Sequence, residues 1–294
     1  MSTDLDMTDT DNSPQDSTPQ PNHPSEEIFP DMLNADRSPI TWQTLFTGAL
    51  FVFMYLPILV LVAYSFNNSA YSAGWEGFTL KWYQKLIADP RIFTALRNSL
   101  TVAFSAVAVS AVLGTLMSVG LARYQFFGKK LYQGIAYLPL IVPDIAIAVA
   151  TLVFLAAVQV SLSLWTIVAA HIVFCLAYIA LAVSTRLADL DPNLEEAAMD
   201  LGATPVQAFF KVLLPQLMPG IISGCLIAFV LSMDDLLIAS FTAGAGATTL
   251  PMEVFSRIRT TVKPDINALS AILIVASGIL AFIAESLRYR SEKR

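Results

Sequence analysis

The chain has 294 residues, 55% of them hydrophobic and 14% charged, with a mean hydropathy of +0.62, whereas an ordinary soluble domain is about a quarter charged. That balance excludes a soluble enzyme and a nucleic-acid binder. The net charge of −6 is uneven: residues 1–40 hold nine acidic side chains against Arg37 alone, a net −8, and the other 254 residues stand at +2.

The first 40 residues are rich in Asp, Ser, Thr, Pro, Asn and Gln and lack apolar periodicity. They bury too little to offset the entropy of ordering, so a flexible acidic tail over 1–40 is expected, followed by a membrane domain over 41–294. The uncharged run from Ser38 to Trp75 is far longer than the apolar core of a cleavable signal peptide and reads as a retained span.

A helix needs about 20 apolar residues to cross a bilayer, and six spans are predicted: Leu45 to Tyr64, Asn98 to Ala122, Leu131 to Ala156, Ser163 to Val183, Gly220 to Ser240 and Ala268 to Leu287. The first outer loop, Asn67 to Arg97, carries Trp75, Trp82 and Tyr83 with Lys81 and Lys85, a composition suited to the membrane interface. Span two is dense in small residues (Ala106, Ser110, Gly114, Ser118), which predicts close packing inside a bundle. Span three contains Pro139 and Pro143 and should be kinked or broken there, with Asp144 just beyond. GKK at Gly128 to Lys130 lacks the upstream glycine and following Ser or Thr of a phosphate loop. The sequence therefore offers no nucleotide-binding fingerprint of its own.

His171 in span four is the lone histidine outside the tail, with Cys175 one turn later. A histidine hydrogen-bonded to a neighbouring helix is expected; no further ligands complete a metal site, and no cofactor is implied. Cys175 and Cys225 both lie in apolar stretches and suggest no disulfide framework.

Between spans four and five, residues 186–218 should form two short helices. Asp191 and Pro192 read as N-cap and first helical position, Leu194 to Leu201 as helix, and Gly202 as a left-handed stop. Thr204, Pro205 and Gln207 read as a capping box opening a second helix that Pro215 stops.

Span five carries Asp234 and Asp235. A carboxylate inside a membrane costs about 2.5–3.5 kcal/mol on insertion scales, so Asp144, Asp234 and Asp235 should face a cavity or a partner. Adjacent helical positions differ by about 100°, so Asp234 and Asp235 cannot both point one way; which faces a route and which pairs stays open. Phe229 and Phe241 flank the pair, either as packing residues or as cation–π faces worth roughly 0.5–2 kcal/mol.

The loop 186–218 also carries a resemblance. Glu196, Ala197, Ala198, three residues, Gly202, nine residues, then Val212, Leu213, Leu214 and Pro215 resemble the EAA loop of bacterial ABC importer permeases, departing only by Val at the Ile position. The likeness covers roughly residues 45–287 and is nearest to polyamine importers of the putrescine type. It runs through GFTLKWYQKL (Gly77 to Leu86), LPLIVPDI (Leu138 to Ile145), AHIVFCLAY (Ala170 to Tyr178), LEEAAMDLGATP (Leu194 to Pro205), LSMDDLLIASF (Leu231 to Phe241), GATTLPMEVFSRIR (Gly246 to Arg259) and INAL (Ile266 to Leu269).

That resemblance implies an all-α membrane protein with six transmembrane helices of the type I importer kind and cytoplasmic coupling helices between spans four and five. It implies an ATPase dimer docking on Glu195, Glu196, Ala197, Ala198 and Gly202, a second non-identical permease, and a periplasmic polyamine-binding protein on the outer face, where the loop Gly246 to Lys263 either docks it or packs on the bundle. It also places that loop on the cytoplasmic side of an inner membrane, with both termini cytoplasmic. Lysine and arginine counts, ten inside against seven outside, favour that orientation only weakly. Substrate would be a polyamine, most simply putrescine, moved by alternating access along a route that includes Asp144, Asp234 and Asp235. Three readings compete: an ABC importer of a different small solute, an ion-coupled secondary transporter supported by the membrane aspartates, and a membrane enzyme pairing Asp144 with Asp234.

Overall fold

The computed structural model describes residues 42–69, 74–260 and 264–292, with only the backbone described at 260 and beyond 279. The expected tail, 1–40, lies outside these residues. All regular elements among the described residues are helices.

Helix α1, Trp42–Tyr64, is a 23-residue apolar helix with Pro57 inside it, about 35 Å long at 1.5 Å per residue and so long enough for a bilayer core. The chain divides into two units within it, at Leu56 and Pro57. In the second unit, buried Asn67 organises the loop after α1: its Oδ1 accepts the Glu76 N–H at 2.8 Å, and its carbonyl accepts Trp82 Nε1–H at 2.8 Å. Trp82, on α2 (Lys81–Ile87), is buried in a small cluster with Leu86, Ile92, Ala95, Leu250, Ala268 and Leu269. Trp82 is thus a core residue of this cluster, whereas Trp75 is exposed.

Helix α3, Pro90–Arg123, starts eight residues before the predicted span. Asp89 accepts the Arg91 N–H at 2.9 Å and Pro90 occupies the first position, a local start signal that outranks the charges at Arg91 and Arg97. Then follow α4 (Lys129–Tyr137), a 3₁₀ turn Leu138–Leu140, and α5 (Asp144–Ala157). The two halves meet at 109°, so the span predicted to break at Pro139 and Pro143 does break there.

Helix α6, Leu164–Ala188, is the most buried of the long apolar helices. After it come α7 (Leu194–Asp200), α8 (Pro205–Ala208), a π-helical turn Phe209–Leu213 and α9 (Leu214–Asp234). The expected stop at Pro215 does not occur: the helix runs unbroken from Pro205 to Asp234. In an α-helix the proline ring would strike the carbonyl four residues back and lack a donor for it; the wider π turn just before Pro215 moves that carbonyl away. The chain closes with α10 (Leu237–Thr242), α11 (Leu250–Thr260) and α12 (Pro264–Glu292). Among the described residues, four helices are long and apolar enough to span, five when the bent pair counts as one, and α12 contributes a shorter apolar stretch over Pro264–Ile279.

The core lies where α3, α6 and α9 cross. On α3, Val102, Ala106, Ser110, Gly114 and Ser118 repeat every fourth residue, and all are buried against α6, a stripe that fits the spacing of neighbours on one helix face. Ser118 Oγ lies 2.8 Å from both the Gly114 and the Ala180 carbonyls. A Cβ on Gly114 would sit 3.2 Å from the Leu176 carbonyl, and one on Gly224 of α9 would sit 3.0 Å from Ile179 Cα. Ile179, fully buried, is thus gripped from two sides by helices that approach at glycine.

Candidate functional site

Two regions of this bundle carry the candidate residues. The first is the break between α9 and α10. Asp234 is the last residue of α9; Asp235 is extended, with φ −68° and ψ 122°. Its carboxylate accepts the Ile238 N–H at 3.2 Å through Oδ1 and the Ala239 N–H at 2.7 Å through Oδ2, which caps the otherwise orphan donors at the start of α10. Oδ2 also lies 3.2 Å from His171 Nε2, and His171 Nδ1 lies 2.7 Å from Ser232 Oγ. His171 is 1% exposed. The far end of α10 is tied to the same helix α6, where Thr166 Oγ1 lies 2.7 Å from the Thr242 carbonyl.

Adjacent carboxylates thus occupy different surroundings. Asp235 is enclosed, with three donors on it, whereas Asp234 is exposed and has no hydrogen-bond or ion-pair partner among the described residues. Asp144, at the first position of α5, is likewise exposed and unpaired, and α5 packs on α10. Of the candidate aromatics, Phe229 is half-buried and lies 5.1 Å from Phe104 of α3, ring to ring, and Phe241 packs half-buried against the main core.

The second region is the loop after α6. Helix α7 begins at Leu194, later than the expected Asp191–Pro192 start, because Asp191 instead closes a turn by accepting the Asn193 N–H at 2.9 Å. Gly202 has φ +93°, and the Ala203 N–H bonds back to the Ala198 carbonyl at 3.1 Å, the left-handed stop expected of it. Thr204 and Gln207 form the reciprocal capping box that opens α8. Glu195 is held within the chain: Arg123, at the end of α3, places Nε 2.6 Å from its Oε2 and donates from a terminal nitrogen to the Pro192 carbonyl at 2.9 Å. The Nε–H points off the line to Oε2, so this contact is an ion pair rather than an aligned hydrogen bond. Glu196 and Ala197 face outward, Ala198 is half-buried, and Leu201 is 91% exposed with Val206 and Phe210 also open. Arg123 and Glu195 illustrate what spacing alone misses, since the two lie 72 positions apart.

At the opposite end of α3, Asp89 meets α11. Arg257 reaches Asp89 at 2.6 Å and Glu253 at 2.8 Å, and Lys85 lies 3.7 Å from Asp265. Burial alone would raise the Asp89 carboxyl, but the Arg257 hydrogen bond, the Arg91 N–H and both positive charges outweigh it and hold the group below its ordinary value. Burial likewise opposes the charge of Arg257, and the two carboxylates overcome it, raising its value. Asn98 and Ser99 of α3 hold the loop before α11 through the Gly246 and Thr248 carbonyls and the Leu250 N–H.

Residues 110–294 match the family described as binding-protein-dependent transport system inner membrane component. The chain is 44% identical over 265 residues to the putrescine transport system permease protein PotI of Escherichia coli, covering 88% of this chain and 94% of that one. It is 36% identical over 240 residues to the spermidine/putrescine transport system permease protein PotC of Haemophilus influenzae, covering 82% and 93%. In fold it is similar to a bacterial ABC transporter involved in import of the acidic polysaccharide alginate, with TM-score 0.65, 15% identity and coverage of 85% and 94%. A MetNI methionine ABC transporter in an inward-facing conformation matches with TM-score 0.53, 20% identity and coverage of 72% and 97%. The chain belongs to the family of binding-protein-dependent inner membrane transport components.

Proposed function

We propose that this chain is the permease subunit of an ABC importer that carries a polyamine, putrescine first, into the cytoplasm by alternating access. The observation that carries the reading is the 44% identity to a putrescine permease over 88% of the chain. The separation of Asp234, exposed and without a partner among the described residues, from an engaged Asp235 supports it, because an exposed anionic group is what an elongated dication can use. Six spans, both termini cytoplasmic, complete the membrane domain.

In this reading a cytosolic ATPase dimer docks on the loop built from α7 and α8. Glu196 offers a charge, Ala197 permits close approach, and Leu201, Val206 and Phe210 present exposed apolar surface beside the Gly202 turn. The chain hydrolyses no ATP itself. A second, non-identical permease completes the route, and a binding protein delivers the amine to the outer face near α11. Labelled putrescine, spermidine and an uncharged solute, offered to cells with and without this subunit and its partners, test the substrate. Uptake of putrescine only with the full set is expected; equal uptake of the uncharged solute would overturn the reading.

A further inference from the structure

We infer that His171 is a positioning residue for cation passage: it locks Asp235 into the α9–α10 break, so that Asp234 alone of the two carboxylates is left to the substrate. The inference rests on the proposed role of Asp234 in the route. Its own basis is the geometry of the imidazole, whose two nitrogens engage opposite sides of one break. Nδ1 meets Ser232, on the last turn of α9, at 2.7 Å, and Nε2 meets Asp235, the residue that caps α10, at 3.2 Å.

With Asp235 ionised, its oxygens only accept, so Nε2 carries the hydrogen, and in the neutral ring Nδ1 accepts from the Ser232 hydroxyl. With the two backbone donors from Ile238 and Ala239, Asp235 has three donors and a side chain only 9% exposed. Turning it toward a passing cation would strand those donors in the protein interior. Asp234 lies between Ser232 and Asp235 in sequence, outside this bridge and exposed. The histidine therefore sets the backbone course that decides which way the neighbouring carboxylate points. Thr166, five positions earlier on the same helix, fixes the other end of α10 at Thr242, so the capped segment is held at both ends.

The test uses the whole complex in proteoliposomes, with putrescine uptake and ATP hydrolysis both measured per assembled complex. Asp234→Asn should lower the number of putrescine molecules moved per ATP, on the order of tenfold for a direct ionic contact. His171→Leu should lower the same ratio, and His171→Gln, whose amide can donate to Asp235 in place of Nε2, should recover most of it. Combining His171→Leu with Asp234→Asn should cost no more than Asp234→Asn alone, because the histidine acts through that carboxylate. A proportional fall of uptake and ATP hydrolysis in His171→Leu, or multiplying losses in the double variant, would overturn the inference and leave the route reading standing. An unchanged ratio in Asp234→Asn would instead remove the route reading, and this inference with it. Should the leucine variant fail to assemble, the glutamine variant alone decides: a ratio as low as that of Asp234→Asn contradicts the inference.

Discussion

Replacing Asp235 by Asn keeps the shape of the side chain but turns one acceptor oxygen into a donor, which then confronts either His171 or a backbone N–H of α10. A buried mismatch of this kind costs about 1–3 kcal/mol, so Asp235→Asn should lower the melting temperature of the purified complex in detergent. Asp234→Asn should leave that temperature unchanged, since no partner is lost. Equal shifts for the two variants would contradict the division of roles. Gly202 is a second position where one residue decides. A Cβ there meets open space, but φ +93° costs a side-chain-bearing residue about 1–2 kcal/mol. Gly202→Val should abolish uptake and ATPase coupling while membrane insertion persists; wild-type uptake would contradict it. Gly202 and the Thr204–Gln207 box were legible in the sequence because caps are written within five residues. The asymmetry of Asp234 and Asp235 was not legible: periodicity shows that they diverge, but the partner that distinguishes them, His171, lies more than 60 positions away.

Among elements, the loop formed by α7 and α8 hangs from α3 by Arg123, which bonds both Glu195 and the Pro192 carbonyl. The ion pair is partly buried, its side chains 25% and 19% exposed, and with the bond to the Pro192 carbonyl it contributes at most about 1–3 kcal/mol, so Arg123→Ala should lower thermal stability only modestly. It should nevertheless reduce uptake per ATP hydrolysed, because the link from the proposed docking loop to α3 is cut. Unchanged uptake per ATP would show that α3 takes no part in coupling. At the other end of α3, the clasp of Asp89 on Arg257 predicts an acid limb in stability. A carboxyl held below its ordinary value contributes stability that is present above the unfolded value and lost as pH falls through the folded one. Resistance to unfolding in detergent should therefore fall as pH drops below the ordinary carboxyl value, and Asp89→Asn should flatten that limb. The break between α4 and α5 was legible from Pro139 and Pro143. The passage of α9 through Pro215 was not, because a π turn alters the register that makes proline a stop, and no local residue type announces it.

For the whole molecule, the bundle is organised around α6, with glycines of α3 and α9 closing on Ile179 from either side. The all-helical membrane character followed from hydropathy alone. The close helix packing followed from small-residue density, although four or five qualifying helices are described where six spans were expected. The overall charge of −6 proved to say nothing about the substrate: it belongs to residues 1–40, and the permease behind them is +2. On the proposed function, the chain is a passive path driven by a partner's ATP rather than an ion-driven carrier. The most direct test is uptake by the reconstituted complex of both permeases, ATPase and binding protein in sealed vesicles. Putrescine should accumulate with ATP when ion gradients are collapsed and should stop when ATP is withdrawn. Accumulation that follows the ion gradient and ignores ATP would contradict the central claim.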